Sequence, residues 1–283
     1  MTADRLNSMA RANVLGIGVH ALDMERTIAA MKSAIEEGRK GYICLASAHG
    51  IVESLRNPAL QAAFAGAFLV APDGMPTVWM GRLQGLRQMK RVFGPELMRE
   101  ALRWRELGWR HFLCGGAPGI AKQLRDALLE RFPWASIVGT YTPPFREMDA
   151  EEVHELAERV RQTKPDIIWV GISTPKQELL MARLLPLLET RLMAGVGAAF
   201  LYHTGVIHDS PAWLKAAGLQ WLHRLLQEPA RLWRRYVTVV PRFLFYSVMQ
   251  MAGLRGYELS HANSISPEPG GPPVSAAGAT PWP

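Results

Sequence analysis

A carboxylate that serves as a base must be partly desolvated and still face its substrate, and Asp73 stands where a sequence can arrange both. The apolar run Phe68-Leu69-Val70-Ala71-Pro72 has the length of a buried strand and ends in Asp73-Gly74, before Met75-Pro76-Thr77-Val78-Trp79. In open α/β sheets, ligands bind just beyond the carboxyl ends of the strands. A carboxylate there can take the proton of a substrate hydroxyl. Asp-Gly is also a common turn pair, and from this stretch alone the turn reading is the simpler one. Further polar clusters follow other apolar runs: Ser47-Ala48-His49-Gly50, Gly115-Gly116-Ala117-Pro118-Gly119 and Ser173-Thr174-Pro175-Lys176-Gln177-Glu178. A glycine-rich turn at a helix start can cradle a phosphate with its amides. The one at Gly116 lacks the full dinucleotide fingerprint and the P-loop lysine, so a tight turn without ligand is an equal reading. Lys176, Gln177 and Glu178 can be ordinary capping residues or can grip a nucleotide or sugar. His49, His203 and His208 have no Ser or Cys nucleophile motif beside them and read as structural or peripheral to a pocket.

The elements that must position these residues alternate. Strands are expected at residues 14–19, 42–46, 68–71, 111–114, 136–141, 166–172 and 192–197. Between most of them lie helical patterns, such as the one capped by Asp23 that carries Met24, Ile28, Met31 and Ile35. That is the βα rhythm of a mostly parallel sheet. The predicted fold is therefore α/β, with residues 1–208 as one unit. From Asp209 the chain changes character, as Trp213, Trp221 and Trp233 interleave with Lys215, Arg224, Arg231, Arg234, Arg235 and Arg242. Residues 209–260 are expected to form a helical appendage, with Pro229 and Pro241 dividing it into several short helices. Residues 261–283, rich in Pro, Gly, Ala and Ser, are expected to be disordered.

The chain has 283 residues, 48% of them hydrophobic, which suits a globular protein. A formal charge of +7 favours anionic partners without choosing among nucleotide diphosphate, nucleic acid and acidic lipid. Cys44 and Cys114 lie in apolar runs and read as buried free thiols, with no metal-ligand spacing. The first residues lack the apolar segment of a secretory signal, so a cytoplasmic location is expected.

Six motifs recur in order: residues 71–76 (Ala-Pro-Asp-Gly-Met-Pro), 91–97 (Arg-Val-Phe-Gly-Pro-Glu-Leu), 116–119, 171–178, 195–200 and 218–225, the last continuing to Tyr236. Together they resemble the WecG/TagA/CpsF glycosyltransferases (glycosyltransferase family 26) over roughly residues 13–245. The resemblance implies a single Rossmann-like α/β domain with a C-terminal appendage that touches the inner face of the cell membrane. It implies inverting transfer of a sugar from a UDP-sugar donor to a polyprenyl-diphosphate-linked sugar acceptor, with no cofactor and no metal. Relatives with this pattern transfer N-acetylmannosamine, its uronic acid or glucose. By motif, Asp73 matches the proposed base. Arg91 and Gln177 match pocket residues, and Arg224, Arg231 and Arg234 match the arginines of the appendage. Ser47, His49, Gly116, Glu178 and Gly197, in the polar clusters after the strands, are added as candidate substrate contacts. Ser47 stands where relatives often carry Asn or Thr, and Pro72 precedes the Asp where a small residue is usual.

The chemistry agrees with that reading. A departing diphosphate needs its charge stabilised. No carboxylate pair is visible at a strand end to hold a cation, so arginines and helix N-termini would serve. Two other classes compete. A dinucleotide-dependent oxidoreductase is suggested by the βα units, but no acidic residue ends the strand at residues 136–141. A nucleic-acid-binding protein is suggested by the Trp and Arg interleaving, but the tryptophans fall at helical spacing with leucines, so no nucleic-acid partner is expected. A homo-oligomer is left open.

Overall fold

The computed structural model describes residues 9–216 and 218–260; the expected tail, residues 261–283, lies outside the described residues. Six strands form one wholly parallel sheet: β3 (Gly41–Ala46), β4 (Leu69–Pro72), β5 (Arg110–Gly115), β6 (Ser136–Tyr141), β7 (Ile167–Gly171) and β8 (Leu192–Gly195). Their spatial order is β4-β3-β8-β7-β5-β6. Because every strand runs the same way, the loops after β3, β4, β5, β7 and β8 gather at one edge of the sheet, where each expected polar cluster sits.

Apart from the part-exposed edge strand β6, the sheet is buried on both faces, which is why its strands read as continuous apolar runs and not as alternating ones. Tyr42, Cys44 and Ala46 of β3 face one core, shared with α2 (Ala48–Ser54), α3 (Pro58–Ala65), α7 (Ala150–Thr163) and α8 (Lys176–Leu184). Ile43 and Leu45 face the other, shared with α1 (Met24–Glu36), α5 (Gly94–Arg103), α6 (Ile120–Arg131) and the short α9 (Ala199–His203). Cys44 and Cys114 are buried free thiols on the first of these faces. The helix starts follow sequence signals. Asp23, Ser47 and Asn57 cap α1, α2 and α3 through their side chains, and Asp149 with Glu152 closes a reciprocal capping box on α7.

Two expectations are corrected. The single strand expected at residues 14–19 is a hairpin, β1 (Arg11–Val14) against β2 (Ile17–His20). Leu15 and Gly16 turn between them with φ of 52° and 92°, the positive values that a two-residue hairpin turn of the primed type requires. Leucine is unfavourable there, and tertiary contacts hold it: its N–H donates to Gln250 Oε1 at 3.0 Å, while Gly16 N–H donates to Asn13 Oδ1 at 2.9 Å. The hairpin closes the open edge of the sheet. The Val70 N–H of edge strand β4 donates to His20 Nδ1 at 3.0 Å, and burial holds that ring neutral, its pKa lowered to about 4.

The second correction concerns the C-terminal helices. After α10 (Ala212–Ala216) and α11 (Gln220–Gln227), residues Pro229–Met251 form one helix, α12, that runs straight through Pro241. Pro229 does divide α11 from α12, as expected. Pro241 and Val237, whose carbonyl a proline at 241 leaves without its helical amide partner, are both exposed residues. The inward side anchors the helix, with Leu232 and Phe243 almost fully buried and α12 packed across α2. At its far end Gln250 bonds back to the hairpin through Leu15 N–H and Asn13 O.

Candidate active site

Asp73 follows directly on the last paired residue of β4. Pro72 pairs with Ala46 of β3, and the Asp73 N–H donates to Ala46 O at 3.1 Å. Thr77 Oγ1 donates to the same carbonyl at 3.1 Å, tying α4 (Met75–Leu83) to the end of β3. Gly74, at φ 92°, makes the sharp change of direction between strand and helix that a Cβ would resist. The carboxyl is thereby fixed at the sheet edge. It keeps some exposed surface, but protein crowds it on most sides, and burial raises its pKa to about 6. Arg91, Arg224 and Arg235 oppose that rise and Glu96 adds to it. None of the described residues donates a hydrogen bond to the carboxylate.

The cationic wall comes from two parts of the chain. Arg91, in the β4–α5 loop, pairs with Glu96 at 3.6 Å, lies over the Phe93 ring at 4.7 Å, and donates to Gln220 Oε1 of α11. Lys215 of α10 reaches both Glu96 at 3.1 Å and Asp209 at 2.5 Å. This ionic lattice pins the C-terminal helices over the sheet edge. Arg224 pairs with Glu228 at 3.6 Å and lies over the Tyr202 ring at 5.6 Å. Its Nε is buried without a hydrogen-bond partner among the described residues.

Ser47 and His49 open α2 beside Asp73. Ser47 Oγ caps the helix by accepting from Gly50 N–H at 3.4 Å. His49 is held neutral, its pKa driven to about 3 by burial and then by Arg235, and its Nδ1 is buried with no partner among the described residues. Gln177 is almost fully buried and committed to protein contacts. Its Oε1 accepts from Gly197 N–H at 3.0 Å and its Nε2 donates to Glu178 Oε1 at 3.0 Å. Glu178 is fully buried, and Thr174 Oγ1 donates to the same oxygen at 2.9 Å. Gln177 and Glu178 thus brace the loop after β7 against the turn after β8. Gly116 follows β5, and its N–H donates to Gly171 O at 3.0 Å, so that amide joins two strand ends. The adjoining Ala117, Pro118 and Gly119, at the start of α6, are exposed.

The appendage arginines divide. Arg234 is exposed, with its guanidinium over the ring of its neighbour Trp233 at 5.5 Å. Arg231 lies in the first turns of α12, and its side chain is outside the described residues. Arg235, half-buried, is the arginine of the Arg234-Arg235 pair whose field reaches Asp73. Sequence reasoning put Arg235 on one helical face with Arg224, Arg231 and Arg242, a stripe able to meet the membrane or to turn inward, and singled out none of Glu96, Gln220 and Tyr236. The structure instead half-buries Arg235 and leaves Arg242 exposed. Helical phase was the signal that could have found Arg235, since it falls one turn from Leu232 and one from Val239, on the side that also buries Phe243. His203 Nε2–H donates to Pro95 O at 3.0 Å, a structural contact.

The opposite side of α12 is apolar and open. Trp233, Val237, Val240, Leu244, Val248 and Met251, spaced three or four apart, are all exposed, as are Trp213, Trp221 and Leu226 nearby. Among the described residues no helix is long and apolar enough to cross a membrane. No group of three or more His, Cys, Asp or Glu side chains among them is placed to hold a metal ion.

Comparison with known proteins adds two findings. One curated relative, an N-acetylglucosaminyldiphosphoundecaprenol N-acetyl-beta-D-mannosaminyltransferase of Bacillus spizizenii, is 24% identical over 211 residues, 74% of this chain and 79% of the relative. Residues 12–256 match the glycosyl transferase WecG/TagA/CpsF family, a span holding the whole sheet, the Asp73 cluster and all three appendage helices. The chain therefore belongs to the WecG/TagA/CpsF family of glycosyltransferases.

Proposed function

We propose that this enzyme moves a sugar from a UDP-sugar to a sugar carried on undecaprenyl diphosphate, inverting the anomeric centre, without a metal ion, at the inner face of the membrane. The carrying observation is the Asp73 cluster: a carboxyl with a pKa of about 6, flanked by arginines from the sheet edge and from the C-terminal helices. The acceptor hydroxyl gives its proton to Asp73 as its oxygen attacks the anomeric carbon. The bond from that carbon to the β-phosphate oxygen breaks on the opposite face, and the electron pair leaves with UDP. The charges of Arg91, Arg224 and Arg235 already act on Asp73, and the same cations would offset the growing charge of a diphosphate bound beside it. The relative's name gives the acceptor class, a lipid diphosphate-linked sugar. Such an acceptor lies in a membrane, and the apolar stripe of α12 beside Arg234 and Arg242 suits an anionic lipid surface. The dinucleotide reading is less favoured, because the Gly116 amide is already committed to Gly171.

The test is a panel of UDP-sugars offered with a short-chain polyprenyl-diphosphate-linked N-acetylglucosamine, with excess EDTA in a parallel series. One UDP-sugar should be transferred with the opposite anomeric configuration at an unchanged rate in EDTA. Retention of configuration, or loss of activity in chelator that Mn²⁺ restores, would overturn the mechanism.

A further inference from the structure

Arg91 belongs to a closed ring of polar side chains that joins the sheet edge to the C-terminal helices. The backbone fixes its place beside Asp73. Val92 N–H donates to Pro72 O at 2.7 Å, so Arg91 and Asp73 adjoin the two ends of one hydrogen bond. The same loop packs tightly on the turn after β8, where a methyl added at Gly94 would lie 2.7 Å from Val196 O. From Arg91 the ring runs outward and back. Arg91 donates to Gln220 Oε1 of α11, and Gln220 Nε2 donates to Asp209 Oδ1 at 3.4 Å. Lys215 of α10 meets Asp209 Oδ2 at 2.5 Å and Glu96 Oε1 at 3.1 Å. Glu96 Oε1 returns to Arg91 Nη2 at 3.6 Å.

Two cations, Arg91 and Lys215, face two anions, Glu96 and Asp209, so the ring is neutral as a whole. Its charges are shared unevenly. Glu96 presents one oxygen to both cations, and Lys215 is the nearer, at 3.1 Å against 3.6 Å. The side chains of Arg91, Glu96 and Lys215 are 15%, 24% and 21% exposed, so water and salt screen these pairs only in part. We propose that Lys215 is a positioning residue for the transfer, acting through Glu96: it draws that carboxylate toward the appendage and leaves the charge of Arg91 for a bound diphosphate. This rests on reading Arg91 as a contact of the departing diphosphate. Lys215 arrives with α10 and Gln220 with α11, so Arg91 is oriented and unmasked when both helices are docked.

A plain latch, one that only holds α10 against α5, would use the same contacts. The two roles make opposite predictions for Glu96. In a latch Glu96 is the anchor, and neutralising it loosens the helices. In the proposed arrangement Glu96 is the group that masks Arg91, and neutralising it strengthens the hold on an anion. Glutamine keeps a side-chain oxygen for Lys215 to donate to, so Glu96→Gln separates the charge from the contact. Removing Lys215 acts in reverse, since Glu96 is then left to Arg91.

The experiment is a calorimetric titration of the full chain with UDP, the diphosphate that the proposed reaction releases, with a thermal melt of each variant as the check on folding. Lys215→Met should weaken UDP binding by about threefold to fivefold, the worth of a charge pair of this exposure. Glu96→Gln should tighten it by about as much. The double variant should bind like Glu96→Gln alone. Native affinity in Lys215→Met would overturn the proposal, as would a loss that persists in full in the double variant, or a Glu96→Gln chain that binds no tighter than the native one. If Lys215→Met does not fold, Glu96→Gln decides by the same criterion. Arg91→Met is the separate arm and should weaken binding by about tenfold or more. A native chain that binds no UDP, or affinity that survives Arg91→Met, defeats the diphosphate reading and the coupling together. A loss in Arg91→Met beside native affinity in Lys215→Met defeats the coupling alone.

Discussion

Asp73→Asn should separate activity from stability in opposite directions. Burial moves this carboxyl from 3.8 to about 6, so the folded protein binds its proton more tightly than the unfolded chain does. Its ionised form therefore costs stability. The cost is absent well below pH 3.8, grows as pH rises through the window between the two values, and is complete above about 6. Roughly two units at about 1.4 kcal/mol each give a penalty near 3 kcal/mol at pH 8. Asparagine keeps the shape and removes the charge. Turnover should then fall by a factor of about a hundred or more, the usual contribution of a positioned base. Thermal melting at pH 8 should rise by several degrees, at about 2–4 °C per kcal/mol for a chain of this size. Melting near pH 4, where the native carboxyl is already protonated, should gain little. The assay is paired turnover and thermal melts at both values of pH. An Asn variant with near-normal turnover reduces Asp73 to a turn residue, and one that melts lower at pH 8 refutes the desolvation argument.

Three further outcomes follow from the C-terminal helices. Arg235→Met should lower kcat/KM by about tenfold to a hundredfold, the range for a charge-assisted contact, whereas Arg234→Met should change it several-fold at most; equal losses would remove the distinction between them. Val237→Glu with Leu244→Glu places two charges in the exposed stripe, and should weaken sedimentation with anionic vesicles by about tenfold or more while the melting temperature holds. Vesicle binding that is unchanged would locate the membrane surface elsewhere. Pro241→Ala restores the amide that α12 lacks and should stabilise the fold by about 1 kcal/mol or more in chemical denaturation; a loss of stability would mean that the proline shapes the helix.

The sheet was legible because a parallel strand buried on both faces has nowhere to place a polar residue. Runs such as Ile167-Ile168-Trp169-Val170 and Tyr42-Ile43-Cys44-Leu45 therefore announce themselves. The polar clusters at their ends were legible for the complementary reason, since an all-parallel sheet sends those ends to one edge. The β1–β2 hairpin was hidden because Leu15 occupies a backbone region leucine avoids, held by burial of its side chain and by a hydrogen bond to Gln250, 235 residues away. Pro241 misled for a related reason: it sits on the exposed side of a helix that Leu232 and Phe243 anchor from the other side, and that anchoring belongs to packing. The roles within the motif at residues 173–178 were the least readable. Gln177 has the chemistry to bind a sugar, yet Gly197 and Glu178 take up its amide. Arg234 and Arg235 are identical in type, and a rotation of about 100° along α12 separates the exposed one from the one that faces Asp73.

The measurement closest to the central claim is the pH dependence of kcat/KM for the native enzyme with whichever UDP-sugar it transfers. A single base of this character predicts an acid limb with unit slope and a midpoint near the Asp73 value of about 6. In Arg235→Met that midpoint should move to higher pH, because a cation favouring the ionised carboxylate is gone. A rate that stays flat well below pH 6, or an acid limb that Arg235→Met leaves in place, would contradict the account.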